Sequence, residues 1–148
     1  NTNASNVYIA GSPIAGTNTT ITNSYALYVN SGNSYFGGNM ITGGNMGVGT
    51  SVPTSRIHVN GSQAGTLLSV STNTTLGEQR FIIVTSSVAL TLPTASTCNG
   101  RTYTINARSV GVTISSYTNL SGTSGQTTIA NGTSITLVSD GTNWQQVQ

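Results

Sequence analysis

The pattern of apolar and polar positions changes character near residue 65. Beyond it, apolar and polar side chains alternate with a period of two, as in strands with one buried face. Val88, Leu90 and Leu92 alternate with Ala89 and Thr91, and the run stops at Pro93. Tyr103, Ile105 and Ala107 alternate with Thr102, Thr104 and Asn106, and Val110, Val112 and Ile114 with Gly111, Thr113 and Ser115. Ile135 and Leu137 alternate with Thr136 and Val138. Phe81-Ile82-Ile83-Val84 is unbroken, which predicts a strand buried on both faces or nearly so. Asp140-Gly141 predicts a turn, after which Asn143 to Val147 returns as the last strand. Short strands at spacings of roughly 8–12 residues predict a small antiparallel β-sandwich or barrel over residues 66–148.

Residues 1–65 are Gly- and Asn-rich, with short apolar groups between turn signals. Val7-Tyr8-Ile9, Tyr25 to Val29, Tyr35-Phe36 and Arg56 to Val59 are the strand candidates. Gly37-Gly38-Asn39-Met40-Ile41-Thr42 is followed directly by Gly43-Gly44-Asn45-Met46-Gly47-Val48, so Gly-Gly-Asn-Met recurs after six residues. Short repeats of this kind point to β-solenoids, that is β-helices, or to intertwined fibre shafts. This part holds too few large apolar residues for a core of its own, because chains that bury little surface are marginal. Other copies of the chain are expected to complete it, with Tyr25, Leu27, Val29, Met40, Ile41 and Met46 buried against symmetry mates. The expected architecture is therefore all-β and homotrimeric: an intertwined shaft over 1–65, then a β head over 66–148.

Composition narrows the function classes. Charged residues make up 4% of the chain, and there is no lysine, where roughly a quarter is usual. No apolar run approaches the roughly 20 residues of a spanning helix, so no membrane insertion is expected. Disordered chains are charged and poor in β-branched residues, unlike this one. Four scattered arginines do not make a phosphate-binding surface, and no nucleic-acid partner is expected. Cys98 is the sole cysteine, so no intrachain disulfide exists, and it reads as a small buried apolar residue.

The stretch Gly47-Val48-Gly49-Thr50-Ser51-Val52-Pro53-Thr54-Ser55-Arg56-Ile57-His58-Val59-Asn60-Gly61 resembles a recurrent element of phage and large-virus tail-fibre proteins. Leu92-Pro93-Thr94-Ala95, Gly100-Arg101-Thr102-Tyr103-Thr104-Ile105 and Leu137-Val138-Ser139-Asp140-Gly141-Thr142-Asn143-Trp144 resemble signatures of small β heads that cap such fibres. The resemblance implies a homotrimer on the virion surface, joined to the rest of the fibre and binding a host-surface glycan or receptor. In many relatives the shaft element precedes a self-cleaving chaperone with a Ser-Lys dyad, and this chain has no lysine.

Candidate chemistry is sparse. Paired-carboxylate catalysis would have only Glu78 and Asp140 to draw on, at the roughly 5–9.5 Å separation glycosidases use. No enzymatic activity and no cofactor are expected. His58 is the lone histidine and would bind a metal only as three copies on a threefold axis. Trp144, with Tyr103 and Tyr117, would offer aromatic faces to a sugar, although core packing is the commoner use of such residues. Tyr117 and Asn119 fall in the polar stretch Ser115 to Gln126, whose make-up suits a binding loop. The expected ligand residues are thus Tyr117, Asn119 and Trp144. Rival readings are a structural virion spacer or decoration without a ligand, a microbial surface adhesin, and an ice-binding solenoid, the last disfavoured because no regular Thr ladder is visible.

Overall fold

A computed structural model describes residues 7, 9–22, 24–108 and 111–148. The chain forms two compact units, one comprising Asn1–Gly47 with Ser51–His58 and the other Val48–Thr50 with Val59–Gln148. The architecture is all-β, with no α-helix among the described residues, and no helix there is long and apolar enough to cross a membrane.

Strands β1 (Met46–Val48) and β2 (Ile57–Val59) pair as a two-stranded sheet. The turn beside them depends on Gly49, whose φ is +72°. A Cβ there would also lie 2.8 Å from the Asn60 carbonyl oxygen, so the second glycine of Gly-Val-Gly-Thr is required twice over.

Before β1 there is no strand among the described residues. Tyr25 to Val29 is not the alternating strand its pattern predicts. A bend at Ala26 and Leu27 stacks the Tyr25 and Tyr28 rings at 5.2 Å, and a strand would have put those residues on opposite faces. Tyr35-Phe36 is likewise not a strand. Val7-Tyr8-Ile9 falls partly outside the described residues. The Gly-Gly-Asn-Met copies also differ, since Met46 is half-buried in β1 while Met40 is exposed and in no strand. A short strand with no neighbour leaves its backbone groups unpaired, so apolar alternation alone does not create one.

Two sheets form the larger unit. One contains β3 (Leu67–Val70), β5 (Phe81–Val84), β7 (Thr102–Ala107), β10 (Ser134–Ser139) and β11 (Trp144–Gln146), in the order β11-β10-β7-β5-β3. The other contains β4 (Thr74–Thr75), β6 (Ala89–Thr91), β8 (Val112–Tyr117) and β9 (Gln126–Ile129), in the order β4-β6-β8-β9. The pairs β3–β5, β5–β7, β4–β6 and β6–β8 are parallel. The chain thus coils three times, laying one strand in each sheet per coil. It then reverses: β9 returns antiparallel to β8, β10 antiparallel to β7, and β11 antiparallel to β10.

Two sheets over one core were expected from the sequence, but their pairing is mixed and not antiparallel throughout. Parallel neighbours need a long crossover, and here the strand in the opposite sheet supplies it in place of a helix. Backbone bonds continue the ladder round the corners, from Thr85 N–H to Val70 C=O at 2.9 Å and from Arg108 N–H to Val84 C=O at 3.0 Å. Asn73 Oδ1 accepts the Ala89 N–H at 2.9 Å, tying the first corner to the second coil.

Alternation places the core as the sequence predicts. Ile82, Val84, Tyr103, Ile105, Ala107, Leu137 and Ile129 are almost fully buried, and the inward residues of both sheets make one cluster. Val110 lies outside the described residues. Phe81-Ile82-Ile83-Val84 is the exception, because only Ile82 and Val84 point inward. Phe81 is 38% exposed and Ile83 half-buried. Ile105 sits at the centre, paired with Ile82 on one side and Ile135 on the other. Ile105→Ala is expected to remove about 2–5 kcal/mol of stability, whereas Thr91→Ala, at an exposed outward position, should stay within about 0.5 kcal/mol. Urea unfolding followed by circular dichroism measures both.

Candidate functional site

The three head-like sequence motifs meet in space, at the connection from β6 to β7. Trp144 donates its indole N–H to the Pro93 carbonyl at 2.9 Å and is 4% exposed. Its ring lies 5.1 Å from that of Tyr103, tilted by 33°. Ser139 Oγ donates to the Ala95 carbonyl at 2.8 Å and accepts the Gly141 N–H at 3.2 Å. Gly100 N–H donates to the Ser139 carbonyl at 2.9 Å, and Ser139 N–H to the Arg101 carbonyl at 3.0 Å. Tyr103 donates its hydroxyl to the Gly77 carbonyl, which also accepts from Arg101 Nη1 at 2.9 Å. Burial raises the Tyr103 phenol above its ordinary pKa.

These groups satisfy one another, as buried polar atoms must, and they pin the connection over the end of the core. Trp144 therefore has no face for a sugar to stack on. Its place is the core and its N–H is engaged, which corrects the ligand role expected for it.

Tyr117 moves for a similar reason. Strand β8 runs on through it, so the residue is 7% exposed instead of lying in a polar loop. Its hydroxyl donates to the Thr128 carbonyl at 3.0 Å, and burial raises its pKa. It too offers no stacking surface. The binding loop expected from Ser115 to Gln126 shrinks to the residues between β8 and β9.

Asn119 organises that loop. Its Oδ1 accepts the Ser121 N–H at 3.1 Å, the Thr123 N–H at 2.9 Å and the Ser121 hydroxyl at 2.8 Å. Backbone bonds from Asn119 N–H to Thr123 C=O and from Gly122 N–H to Asn119 C=O close the turn. The side-chain oxygen is thus a local scaffold, and Leu120 projects beside it at 64% exposure. A preorganised hydroxyl-rich tip with one apolar side chain can make a small polar and apolar contact without paying for loop ordering.

His58 is half-buried in β2, and its Nδ1 accepts the Thr54 N–H at 3.2 Å. Nε2 is then the nitrogen that a threefold metal site would use. Among the described residues of one chain, no group of three or more His, Cys, Asp and Glu could hold a metal. Cys98 is buried and its thiol lies 3.3 Å from the Thr94 carbonyl. Of the two acids, Glu78 has a side chain 93% exposed and 3.8 Å from Arg101 Nη2. Asp140 Oδ1 accepts the N–H groups of Thr142 and Asn143, both at 2.7 Å, and Oδ2 accepts from Gln145 Nε2 at 2.8 Å. Asp140 is a turn residue, as its Asp-Gly pair suggests.

The sequence reading missed an exposed apolar group on the five-stranded sheet. Leu67 and Phe81 pair side by side on its outward face, 59% and 38% exposed, with Ile83 next along β5. The signal was present in the unbroken Phe81–Val84 run, whose outward half was assigned to the interior of the same chain.

The hydrogen bonds that hold the Asp140 carboxylate, chiefly from the Asn143 N–H, lower its pKa. A lowered folded-state pKa stabilises the fold above the unfolded value of about 3.9 and loses that contribution as pH falls through the folded value. Asp140→Asn should therefore flatten the acid limb of the stability curve below pH of about 4, read by thermal melts across pH. Tyr117→Phe deletes one buried bond while keeping the ring, and should lower stability by about 0.5–1.5 kcal/mol, measured by urea unfolding. Comparison of this chain with family models, with curated proteins and with solved structures finds no match.

Proposed function

We propose that this chain is the distal part of a homotrimeric viral attachment fibre, displayed on the virion surface, with residues 1–65 as shaft and 66–148 as head. On this reading it carries out no reaction and holds no cofactor. Its partners are two further copies, the rest of the fibre, and a glycan or receptor on the host surface.

One observation carries the reading. Every described residue from 7 to 45 is exposed in the single chain, including Ile14 at 94%, Tyr35 at 92% and Ile41 at 91%. Val7, Leu27, Tyr28 and Phe36 are each more than 60% exposed as well. Soluble monomers expose scattered apolar residues, whereas dense exposure of large ones marks surfaces that meet another molecule. Symmetry mates are the partner always present at matching stoichiometry, and closed rotational symmetry is the commonest way for copies to meet. The resemblance of the Gly47 to Gly61 element to fibre shafts points the same way.

A specific observation favours a second reading, a virion spacer or decoration that binds no ligand. Two of the three expected ligand residues, Tyr117 and Trp144, are buried. The loop carrying Asn119 and Leu120 is what remains for host contact under the attachment reading.

Light scattering of the full chain is expected to give three times the chain mass, persisting on heating. A monomer in dilute solution would overturn the proposal. Glycan-array and host-cell binding of the trimer then separate the two readings. Attachment predicts binding that Leu120→Asp reduces about tenfold or more, a loss near 1.4 kcal/mol. A spacer predicts no binding by either protein.

A further inference from the structure

The outward face of the five-stranded sheet is built asymmetrically. At the β3–β5 side it carries Leu67, Phe81 and Ile83, and toward β10 and β11 it carries hydroxyl and amide groups around Val138. The other sheet turns outward Thr75, Thr91, Thr113 and Thr128, with Ala89 as its one apolar side chain in those rows. The apolar residues are therefore concentrated on one of two otherwise similar surfaces.

Phe81 is also fixed in place. A Cβ at Gly65 would lie 2.8 Å from Phe81 Cε2 and 3.0 Å from Arg80 Cδ, so the glycine is what lets the ring lie down against the chain. Arg80 places its guanidinium 5.6 Å from the ring centroid, within the range of a cation–π contact. A large aromatic packed against its neighbours while 38% exposed has the character of an interface anchor.

Charge indicates the occupant. The outward positions of all five strands hold no charged residue. The charges nearest Phe81 in sequence lie outside these rows: Arg80 precedes β5 with its guanidinium over the Phe81 ring, and Glu78 pairs with Arg101. An identical surface laid on these strands therefore sets no like charges in its rows against each other. Edge strands that must stay unpartnered are protected by inward-pointing charge, lysine or proline; β3, an edge of its sheet, has none of these.

We propose that the face around Leu67, Phe81 and Ile83 is the head's contact with the neighbouring copy of this chain. The inference rests on the trimeric reading and adds to it which surface of residues 66–148 turns toward the axis. The Thr-lined face of the other sheet then points to solvent.

Two measurements on the full chain test this. In the first, Leu67→Cys and Thr113→Cys proteins are labelled with a bulky maleimide, Cys98 being buried, while light scattering records the mass of each sample. Leu67→Cys is expected to label about tenfold or more slowly than Thr113→Cys, since a covered site reacts only through opening. In the second, Phe81→Glu should raise the concentration at which the trimer dissociates by roughly thirtyfold or more, as for loss of a buried aromatic anchor. A trimer whose Leu67→Cys site labels as fast as Thr113→Cys overturns the assignment of the face and leaves the trimer standing. A monomeric mass overturns both. If Phe81→Glu does not fold, the labelling rates decide alone.

Discussion

Leu68, Ile82, Ile105 and Ile135 form one inward row across four neighbouring strands, and the strand-rich unit is organised around keeping that row dry. Strands in a ladder lie about 4.8 Å apart, so side chains at matched positions touch along the whole row. The chain meets this condition by coiling, with each pass through the sheet placing the next apolar residue over the last. The shorter sheet closes the other side with Leu90, Ile114, Val112 and Ile129. The core needs neither disulfide nor ion-pair network. The one ion pair found among the described residues, Arg101 with Glu78 at 3.8 Å, has its carboxylate exposed to water and adds little.

A coil leaves its ends open, and the polar groups of the three head-like motifs close one of them. Pro93, Ala95 and Arg101 offer carbonyls that Trp144 and Ser139 satisfy. The residues of these three motifs are thus structural, since their polar groups are engaged within the chain. What remains outside is the Asn119 loop with Leu120 at its tip and the faces of the sheets. A sequence motif by itself says nothing about where a ligand sits.

Among the apolar side chains left outside are the run before β1 and the patch around Phe81. Both include leucine and isoleucine, which elsewhere in this chain build the core. Their exposure in the single chain, in a protein with so little charge, is the observation behind the proposed assembly. Hydroxyl and amide groups keep the remaining surface wet without charge.

Much of this was readable from the residues alone. The all-β class, the strands at β7, β8 and β10, and the inward sets Val88–Leu90–Leu92 and Tyr103–Ile105–Ala107 follow from period-two alternation, which records the face a side chain turns inward. The Asp140 turn and the burial of Cys98 were equally local. Alternation carries no information on strand direction or partner. Leu67 pairs with Phe81 fourteen residues on, and Phe81 with Thr104 twenty-three residues on, because the pinned connection before β7 lengthens one coil and hides the repeat. The burial of Tyr117 and Trp144, and the exposure of Phe81, were decided in the same way. Each depends on which distant carbonyl or side chain arrives beside the residue, and that is settled only when backbone donors and acceptors far apart in the chain find one another.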